Sequence, residues 1–380
     1  MISCGRISTV LCRGEQVRPT RPLALAAAAF LAASPLIAPL PATATPPVQL
    51  EPTPQQLKPR SDGFPITPVV GLVRTSDTDP QAEAVVRQTL ADAGVKRIET
   101  GPNPHTPVTV YLGGGADALK RLGVENHEGL PAEGYVLAAG SGSIVLDGVD
   151  ADGAYYAALS LRQLVKRRQG TDWMPGVEVR DWPAMRYRGS IEGFYGTPWS
   201  HQDRLDHLDY LGAHKMNTYE YAPKDDPYHR DKWREPYPPD KLAQLGELIT
   251  RARRNHVDFT FALSPGLSIC YTDDGDVAKL IAKFEAIYQL GGRAFNIPMD
   301  DIDAGRWNCA GDKDRYGNPG GAGAGRAQSE LINKVQRWAT AKGDVAPLQM
   351  VPTEYYNATE TPYKKAIRET LDQQVVVQWT

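Results

Sequence analysis

At 380 residues the chain is long enough for two domains and a sizeable core. Its 42 basic and 45 acidic residues give a formal charge of −3, which leaves no basic footprint for nucleic acid. Neither the length nor the charge calls for a cofactor.

Residues 1–44 read as a secretory signal peptide. Arg13, Arg18 and Arg21 precede an apolar run from Leu23 to Leu40, which ends in the small-residue site Ala42-Thr43-Ala44. A membrane anchor is the rival reading, but Pro35 and Pro39 interrupt a span barely long enough to cross a bilayer. The expectation is a secreted, extracellular protein with no stable membrane insertion after cleavage. Cleavage removes four basic residues and one acid from the 42 and 45, leaving a net charge near −6. It also removes Cys4 and Cys12, so that Cys270 and Cys309 remain.

Residues 45–68 are rich in Pro and Thr and read as a linker with one edge segment. A small α+β domain is expected over 69–180. Val69 to Val73 and Val108 to Leu112 read as strands, and Asp79 to Ala93 as a helix from the spacing of Ala82, Val85, Val86, Leu90 and Ala93. Ala116 to Leu122 reads as a short helix. Tyr135 to Ala138 and Ser143 to Leu146 form a pair of strands about Gly140-Ser141-Gly142, and a helix follows to Arg167. The run Gly113-Gly114-Gly115 lacks the Lys-Ser/Thr of a phosphate loop and reads as a turn.

From residue 181 to 380 the rhythm is strand, loop, helix. Strands are expected at Tyr187 to Ile191, Lys215 to Tyr219, Asp258 to Leu263, Ala294 to Ile297, Pro347 to Val351 and Val375 to Trp379. Helices are expected at Gln202 to Gly212, Pro239 to Asn255, Asp276 to Leu290, Arg326 to Ala341 and Thr361 to Leu371. This alternation predicts an α/β fold built from parallel βαβ units, a (β/α)8 TIM barrel, with a doubly wound sheet as the alternative. Six strands are counted where a closed barrel needs eight, so a C-terminally incomplete barrel is expected.

Chemistry-bearing residues recur at successive strand ends. The first strand runs into Glu192-Gly193-Phe194-Tyr195-Gly196-Thr197-Pro198-Trp199, and the second into Tyr219-Glu220-Tyr221-Ala222-Pro223-Lys224-Asp225-Asp226-Pro227-Tyr228. The fourth ends in Met299-Asp300-Asp301-Ile302-Asp303, the fifth in Pro352-Thr353-Glu354-Tyr355-Tyr356-Asn357, and the sixth in Trp379. Taken together, aromatics, carboxylates and one lysine suit a sugar pocket, where rings stack on pyranose faces and carboxylates accept from hydroxyls. Taken singly, Trp199 and Tyr219 read as core, and Lys224, Asp225 and Asp226 as a solvated loop. Asp300, Asp301 and Asp303 lack the spacing and glycine of a calcium loop. His201, His207, His214, His229 and His256 lack zinc-helix spacing and read as surface or supporting residues, so no metal site is expected. Adjacent acids disfavour a pair straddling a glycosidic bond and favour attack by the sugar's own 2-acetamido group.

Gly193-Phe194-Tyr195-Gly196-Thr197-Pro198-Trp199, Lys215-Met216-Asn217-Thr218-Tyr219, Pro223-Lys224-Asp225-Asp226-Pro227-Tyr228 and Asp300-Asp301-Ile302 together resemble glycoside hydrolase family 84. This is the family of O-GlcNAcases and of bacterial β-N-acetylglucosaminidases often labelled hyaluronidase. Gly153-Ala154-Tyr155-Tyr156 and Leu161-Arg162-Gln163-Leu164 extend the likeness into the small domain. The resemblance implies a retaining exo-hydrolase acting on terminal β-linked N-acetylglucosamine in a glycan or glycoprotein, through an oxazoline intermediate. In it Asp300 matches the acid that orients the acetamide, and Asp301 matches the general acid, whose partial burial beside Asp300 should raise its pKa. Tyr355 matches a ligand of the acetamide and Trp379 part of the aromatic wall. Gly193 and Lys224 match contacts to sugar hydroxyls, and Tyr195 lines the pocket. Met299 stands where the family often has Phe. The family's sugar-holding Asn and Asp residues beyond Trp379-Thr380 are not in the sequence. Cys270 and Cys309 fall on loops at the same barrel face, and a disulfide between them is expected. The alternatives are a carbohydrate-binding or inactive fragment and a metal-assisted polysaccharide hydrolase of the same fold.

Overall fold

The computed structural model describes residues 48–379; the segment read as a signal peptide, with Cys4 and Cys12, lies outside them. The segment expected to be a linker with one edge segment carries that edge strand and, beyond the expectation, a second short strand. Strands β1 (Gln56–Pro59), β2 (Phe64–Pro65) and β3 (Val69–Arg74) lead to helix α1 (Pro80–Asp92) and β4 (Arg97–Thr100). Next come β5 (Val108–Leu112), α2 (Ala116–Leu122), β6 (Tyr135–Gly140), β7 (Ser143–Gly148) and α3 (Ala151–Leu164). Strands β8 (Lys166–Arg168), β9 (Thr171–Met174) and β10 (Val177–Asp181) complete the small domain.

Its main sheet has the order β1-β10-β6-β7-β5-β3-β4, with β1, β10, β6 and β7 antiparallel and the rest parallel. One sheet face packs under α1 and α3 through Val70, Leu72, Val86, Leu90, Leu137, Leu146 and Leu161, and the other under α2 through Leu119, Val136 and Val145. Each fully buried aliphatic side chain contributes roughly 1.5–3 kcal/mol, so this sandwich and not the charged β8–β9 hairpin carries the domain. The hairpin turns at Gln169 and Gly170, both at positive φ (49° and 85°), as a two-residue hairpin turn requires. Asp79 starts α1 by accepting from the Ala82 N–H at 2.7 Å, with Pro80 at the first helical position.

The second half alternates as expected. It runs β11 (Gly189–Glu192), α4 (His201–Ala213), β12 (Thr218–Tyr221), α5 (Pro239–Arg254), β13 (Asp258–Ala262) and α6 (Asp274–Gln289). It continues with β14 (Ala294–Pro298), α7 (Ala310–Tyr316), α8 (Gly321–Lys342), β15 (Gln349–Val351), α9 (Pro362–Thr370) and β16 (Val376–Val377). The six strands pair in sequential order, all parallel, as an arc of a (β/α)8 barrel, and a doubly wound order is ruled out. Helix α8 begins five residues before the expected Arg326. Gly325, inside this early turn, lets α8 and α9 pack closely: a Cβ there would sit 2.7 Å from the Tyr363 carbonyl oxygen and 2.8 Å from the Ala366 Cβ. Among the described residues no helix is long and apolar enough to cross a membrane.

Polar residues join the small domain to the barrel. Lys215 is buried and donates to the Tyr135 hydroxyl at 2.8 Å, and desolvation pulls its ammonium down to about 8 against the pull of Asp181. Arg188 pairs with Glu133 and donates to the Tyr156 hydroxyl at 3.1 Å. His256 lies between Asp152 (2.6 Å) and Asp79 (3.2 Å), its ring stacked on Tyr155 with centroids 4.2 Å apart. Burial pushes its imidazolium down, but the bonds to both carboxylates outweigh that and hold its pKa at about 9. A folded pKa above the unfolded 6.5 means the stabilisation is complete below that value and disappears as pH rises through about 9. His256→Gln is therefore expected to cost about 2 kcal/mol near pH 6, allowing for the exposure of Asp152, and almost nothing near pH 10. Urea unfolding at the two pH values measures the difference.

Candidate active site

Parallel pairing brings all six strand C-termini to one side, and β14 delivers Asp300 and Asp301 there. Alternation along the strands separates two sets of acids. Glu220 of β12 points into the barrel, where Asn296 donates to it at 2.6 Å and Gln378 at 3.0 Å. Burial raises the Glu220 pKa, with the charge of Asp300 acting in the same direction. Glu192 of β11 points the other way. It is buried against α4, gripped by Arg204 at 2.7–3.1 Å and bonded by the Tyr219 hydroxyl. Glu192 and Tyr219 are thus support for the barrel wall and not pocket residues. Trp199 likewise packs on His207, with ring centroids 4.8 Å apart.

The turn carrying the two acids is held at its base. The Met299 N–H donates to the Val351 carbonyl at 2.8 Å, and the Met299 carbonyl accepts from the Thr353 hydroxyl at 2.8 Å. Gln328 donates to that hydroxyl at 2.8 Å, the Tyr363 hydroxyl accepts from the Thr353 N–H at 2.9 Å, and Tyr363 donates back to Gln328. Met299 itself is fully buried in the barrel core, so its difference from Phe is a packing matter.

Above this base the two acids have different surroundings. Asp300 is half-buried. Its Oδ2 lies 3.5 Å from the Lys224 ammonium, while its Oδ1 is buried with no hydrogen-bond partner among the described residues. Asp301 is exposed and in the left-handed region at φ 54°. The partial burial expected of Asp301 falls on Asp300 instead, because the left-handed residue swings the second side chain outward. The Tyr195 hydroxyl stands 3.5 Å from Asp301 Oδ2, and the Lys224 ammonium lies 5.8 Å from the Tyr195 ring. Lys224 alone of its acidic run reaches the pair. Asp226 instead accepts from the hydroxyls of Tyr221 and Tyr237 at 2.9 and 2.8 Å and shapes the loop, and Asp225 is exposed.

The other expected site residues lie at the same strand ends without joining this cluster. Gly193 directly follows β11. Tyr355 packs edge-on against Tyr356, with centroids 5.8 Å apart. Trp379 is exposed, with the Lys364 ammonium 5.6 Å from its ring, and it lines a cavity of about 710 Å³ with Ile367, Leu371 and Val377. Among the described residues neither Tyr355 nor Trp379 hydrogen-bonds Asp300 or Asp301.

Cys270 and Cys309 form the expected disulfide, with Cα atoms 5.6 Å apart. Beside it the buried Asp312 carboxylate accepts from the N–H groups of Tyr271 (3.1 Å) and Thr272 (2.9 Å). Disulfide and carboxylate together tie the loop after β14 to the loop after β13. These cysteines and Asp312 are close enough to suggest a metal site, but the sulfurs are bonded to each other and the carboxylate is occupied by N–H donors. Two of the histidines, read as surface or supporting residues, are supporting ones. His229 is fully buried, its ring bonded through Nδ1 to the Ala262 carbonyl at 2.9 Å, and burial lowers its pKa to about 4. His256 is the interdomain residue described above. Sequence reasoning also missed Arg230, which donates to the Asp301 carbonyl at 3.0 Å and to the Tyr195 hydroxyl at 3.3 Å.

Two adjacent acids at the C-terminal end of a barrel strand, with a lysine on one and a tyrosine on the other, define a glycosidase-type site on a barrel scaffold. The β-N-acetylglucosaminidase family model matches residues 188–380, and a model of glycosyl hydrolase family 20, domain 2, matches residues 48–182. The chain belongs to the β-N-acetylglucosaminidase family, glycoside hydrolase family 84. It is similar to Protein O-GlcNAcase of Mus musculus, 35% identical over 198 residues that make up 50% of this chain and 20% of the relative. It is also similar to a Beta-hexosaminidase of Porphyromonas gingivalis, 26% identical over 53% of this chain and 26% of the relative. The solved structure of CpGH84B superposes with a TM-score of 0.75 at 33% identity, covering 88% of this chain and 56% of that one. The chain thus spans about a fifth of the mouse relative and just over half of the solved one.

Proposed function

We propose that the protein removes terminal β-linked N-acetylglucosamine from glycans or glycoproteins with retention of configuration, using the substrate's acetamide as nucleophile. The observation that carries this reading is the buried, unpartnered Oδ1 of Asp300 beside a lysine-bound Oδ2. A buried acceptor left unsatisfied costs about 1–3 kcal/mol, so the site favours a ligand that brings a donor to that point. The acetamide N–H is such a donor, and binding it there aims the acetamide oxygen at C1. That oxygen attacks C1 and closes an oxazoline, while the glycosidic oxygen leaves with a proton from Asp301. Water, giving its proton to Asp301, then opens the ring. Two acids on one turn reach the sugar from one side, whereas a protein nucleophile and an acid need opposite sides about 5 Å apart. Gly193 and Lys224 would meet the sugar hydroxyls, Tyr195 would line the pocket, Tyr355 would meet the acetamide, and Trp379 would form part of a pocket wall. Export belongs to the same reading: residues 1–44 have signal-peptide character, and the Cys270–Cys309 disulfide suits an oxidising compartment.

The test is turnover of 4-nitrophenyl N-acetyl-β-glucosaminide and its N-trifluoroacetyl analogue. Fluorination weakens the acetamide oxygen as a nucleophile. The expected result is a kcat lower by about 10²-fold for the fluorinated substrate, with the β-anomer released first in the NMR spectrum, as intramolecular attack predicts. Equal turnover of both would sink substrate assistance, and turnover lost on chelation would favour a metal-assisted hydrolase.

A further inference from the structure

Asp301 adopts a left-handed backbone that costs a non-glycine residue about 1 kcal/mol or more and persists only where its surroundings hold it. One side chain does so directly. The Arg230 Nη2 donates to the Asp301 carbonyl at 3.0 Å, and its Nη1 donates to the Tyr195 hydroxyl at 3.3 Å, which in turn stands 3.5 Å from Asp301 Oδ2. The guanidinium therefore touches the acid at both ends, at its backbone and, through one hydroxyl, at its carboxylate. A rigid planar fork is pre-organised to span two acceptors in this way, whereas an ammonium on a flexible stem loses more freedom to do so.

Arg230 is itself placed in advance. The neighbouring His229 is buried and locked to β13, its Nδ1 on the Ala262 carbonyl at 2.9 Å and its own carbonyl accepting from the Ser264 N–H at 2.9 Å. Among the described residues Arg230 has no carboxylate oxygen within 4.0 Å, so its charge is not spent on an ion pair, and its Nε is buried without a partner. A half-buried guanidinium with those two contacts and a buried, unpartnered Nε is costly as scaffold and makes sense as a brace.

We propose that Arg230 is a positioning residue for Asp301, fixing the left-handed turn and the carboxylate angle from which the leaving oxygen is protonated. This rests on the acid role given to Asp301 above. Loss of the brace should therefore hurt only where protonation limits the rate.

The experiment compares the full-length protein with Arg230→Ala, Arg230→Lys and Asp301→Asn on two aryl N-acetyl-β-glucosaminides, one with a dinitrophenol and one with a methoxyphenol leaving group. A misplacement of about 1 Å costs about 10²-fold, so Arg230→Ala should lose about 30- to 100-fold in kcat on methoxyphenol and less than about threefold on dinitrophenol, with KM nearly unchanged. Arg230→Lys should show the same leaving-group dependence with a smaller loss, and added guanidinium should restore part of the Ala variant's rate on methoxyphenol alone. Equal losses on both substrates, or a loss confined to KM, overturn the proposal. If Arg230→Ala misfolds, as circular dichroism would show, the Lys variant decides by the same criterion. Absence of wild-type turnover would overturn the functional reading and this inference with it. A leaving-group effect in Asp301→Asn that neither Arg230 variant shares would overturn this inference alone.

Discussion

Asp300→Asn and Asp301→Asn are expected to fail in different ways despite being neighbours. Asp300→Asn should lower kcat/KM by about 10²–10³-fold whatever the leaving group, because the acetamide loses the charge that orients and polarises it as its oxygen attacks. Asp301→Asn should lower it by about 10²–10⁴-fold for a methoxyphenol or sugar leaving group and far less for dinitrophenol, which departs without a proton. The structure motivates the split: Asp300 is half-buried with one oxygen on Lys224 and the other unpartnered, whereas Asp301 is exposed at the mouth with Tyr195 beside it. Steady-state kinetics over a series of aryl N-acetyl-β-glucosaminides gives a slope for each variant. Parallel slopes would mean that the two acids share one role, and an Asp301→Asn line no steeper than wild type would remove Asp301 as the acid.

The parts of this site that the sequence reveals are those written in short contiguous runs. Asp300 and Asp301 end an apolar strand, and Lys224 and Tyr195 sit in runs whose neighbours carry the family likeness, so strand order alone brings them together. Arg230 was not legible because its partner lies 71 residues away and its role arises from how two loops meet. The Gln328–Tyr363–Thr353 bracket under Met299 is hidden for the same reason. Elsewhere local propensity pointed the wrong way. Gly321-Ala322-Gly323-Ala324-Gly325 reads as loop because each glycine costs a helix about 1 kcal/mol, yet inside α8 the close approach of α9 requires Gly325, and the carbonyls of Tyr316 and Asn318 require Gly323. The charged strand Lys166–Arg168 gives no apolar alternation, so helical spacing carries the expected helix to Arg167, whereas α3 ends at Leu164. In residues 45–68 the edge segment expected within the Pro-rich stretch is β1, which forms the sheet edge beside β10.

Glu192 shows how a residue type at a strand end can mislead, and it carries the largest stability effect expected outside the hydrophobic core. The carboxylate is 1% exposed and held by the Arg204 fork at 2.7–3.1 Å and by the Tyr219 hydroxyl. Burial works against the Arg204 charge, but the bonds to Glu192 more than offset it and raise its pKa. Arg204→Ala leaves that carboxylate buried and unpaired, and is expected to destabilise the protein by about 3–5 kcal/mol, read from the urea midpoint. Replacing both partners, as Glu192→Gln with Arg204→Met, removes the stranded charge and should recover at least half of the loss, since a buried ion pair is roughly neutral against an apolar substitute. Activity separates this from a catalytic role. If Glu192 only braces β11 against α4, the double variant turns over aryl N-acetyl-β-glucosaminides within about threefold of wild type once folded, because each acid named in the chemistry is untouched. A double variant that is stable yet inactive would instead place Glu192 in the chemistry, and the division of acids by strand alternation would be wrong.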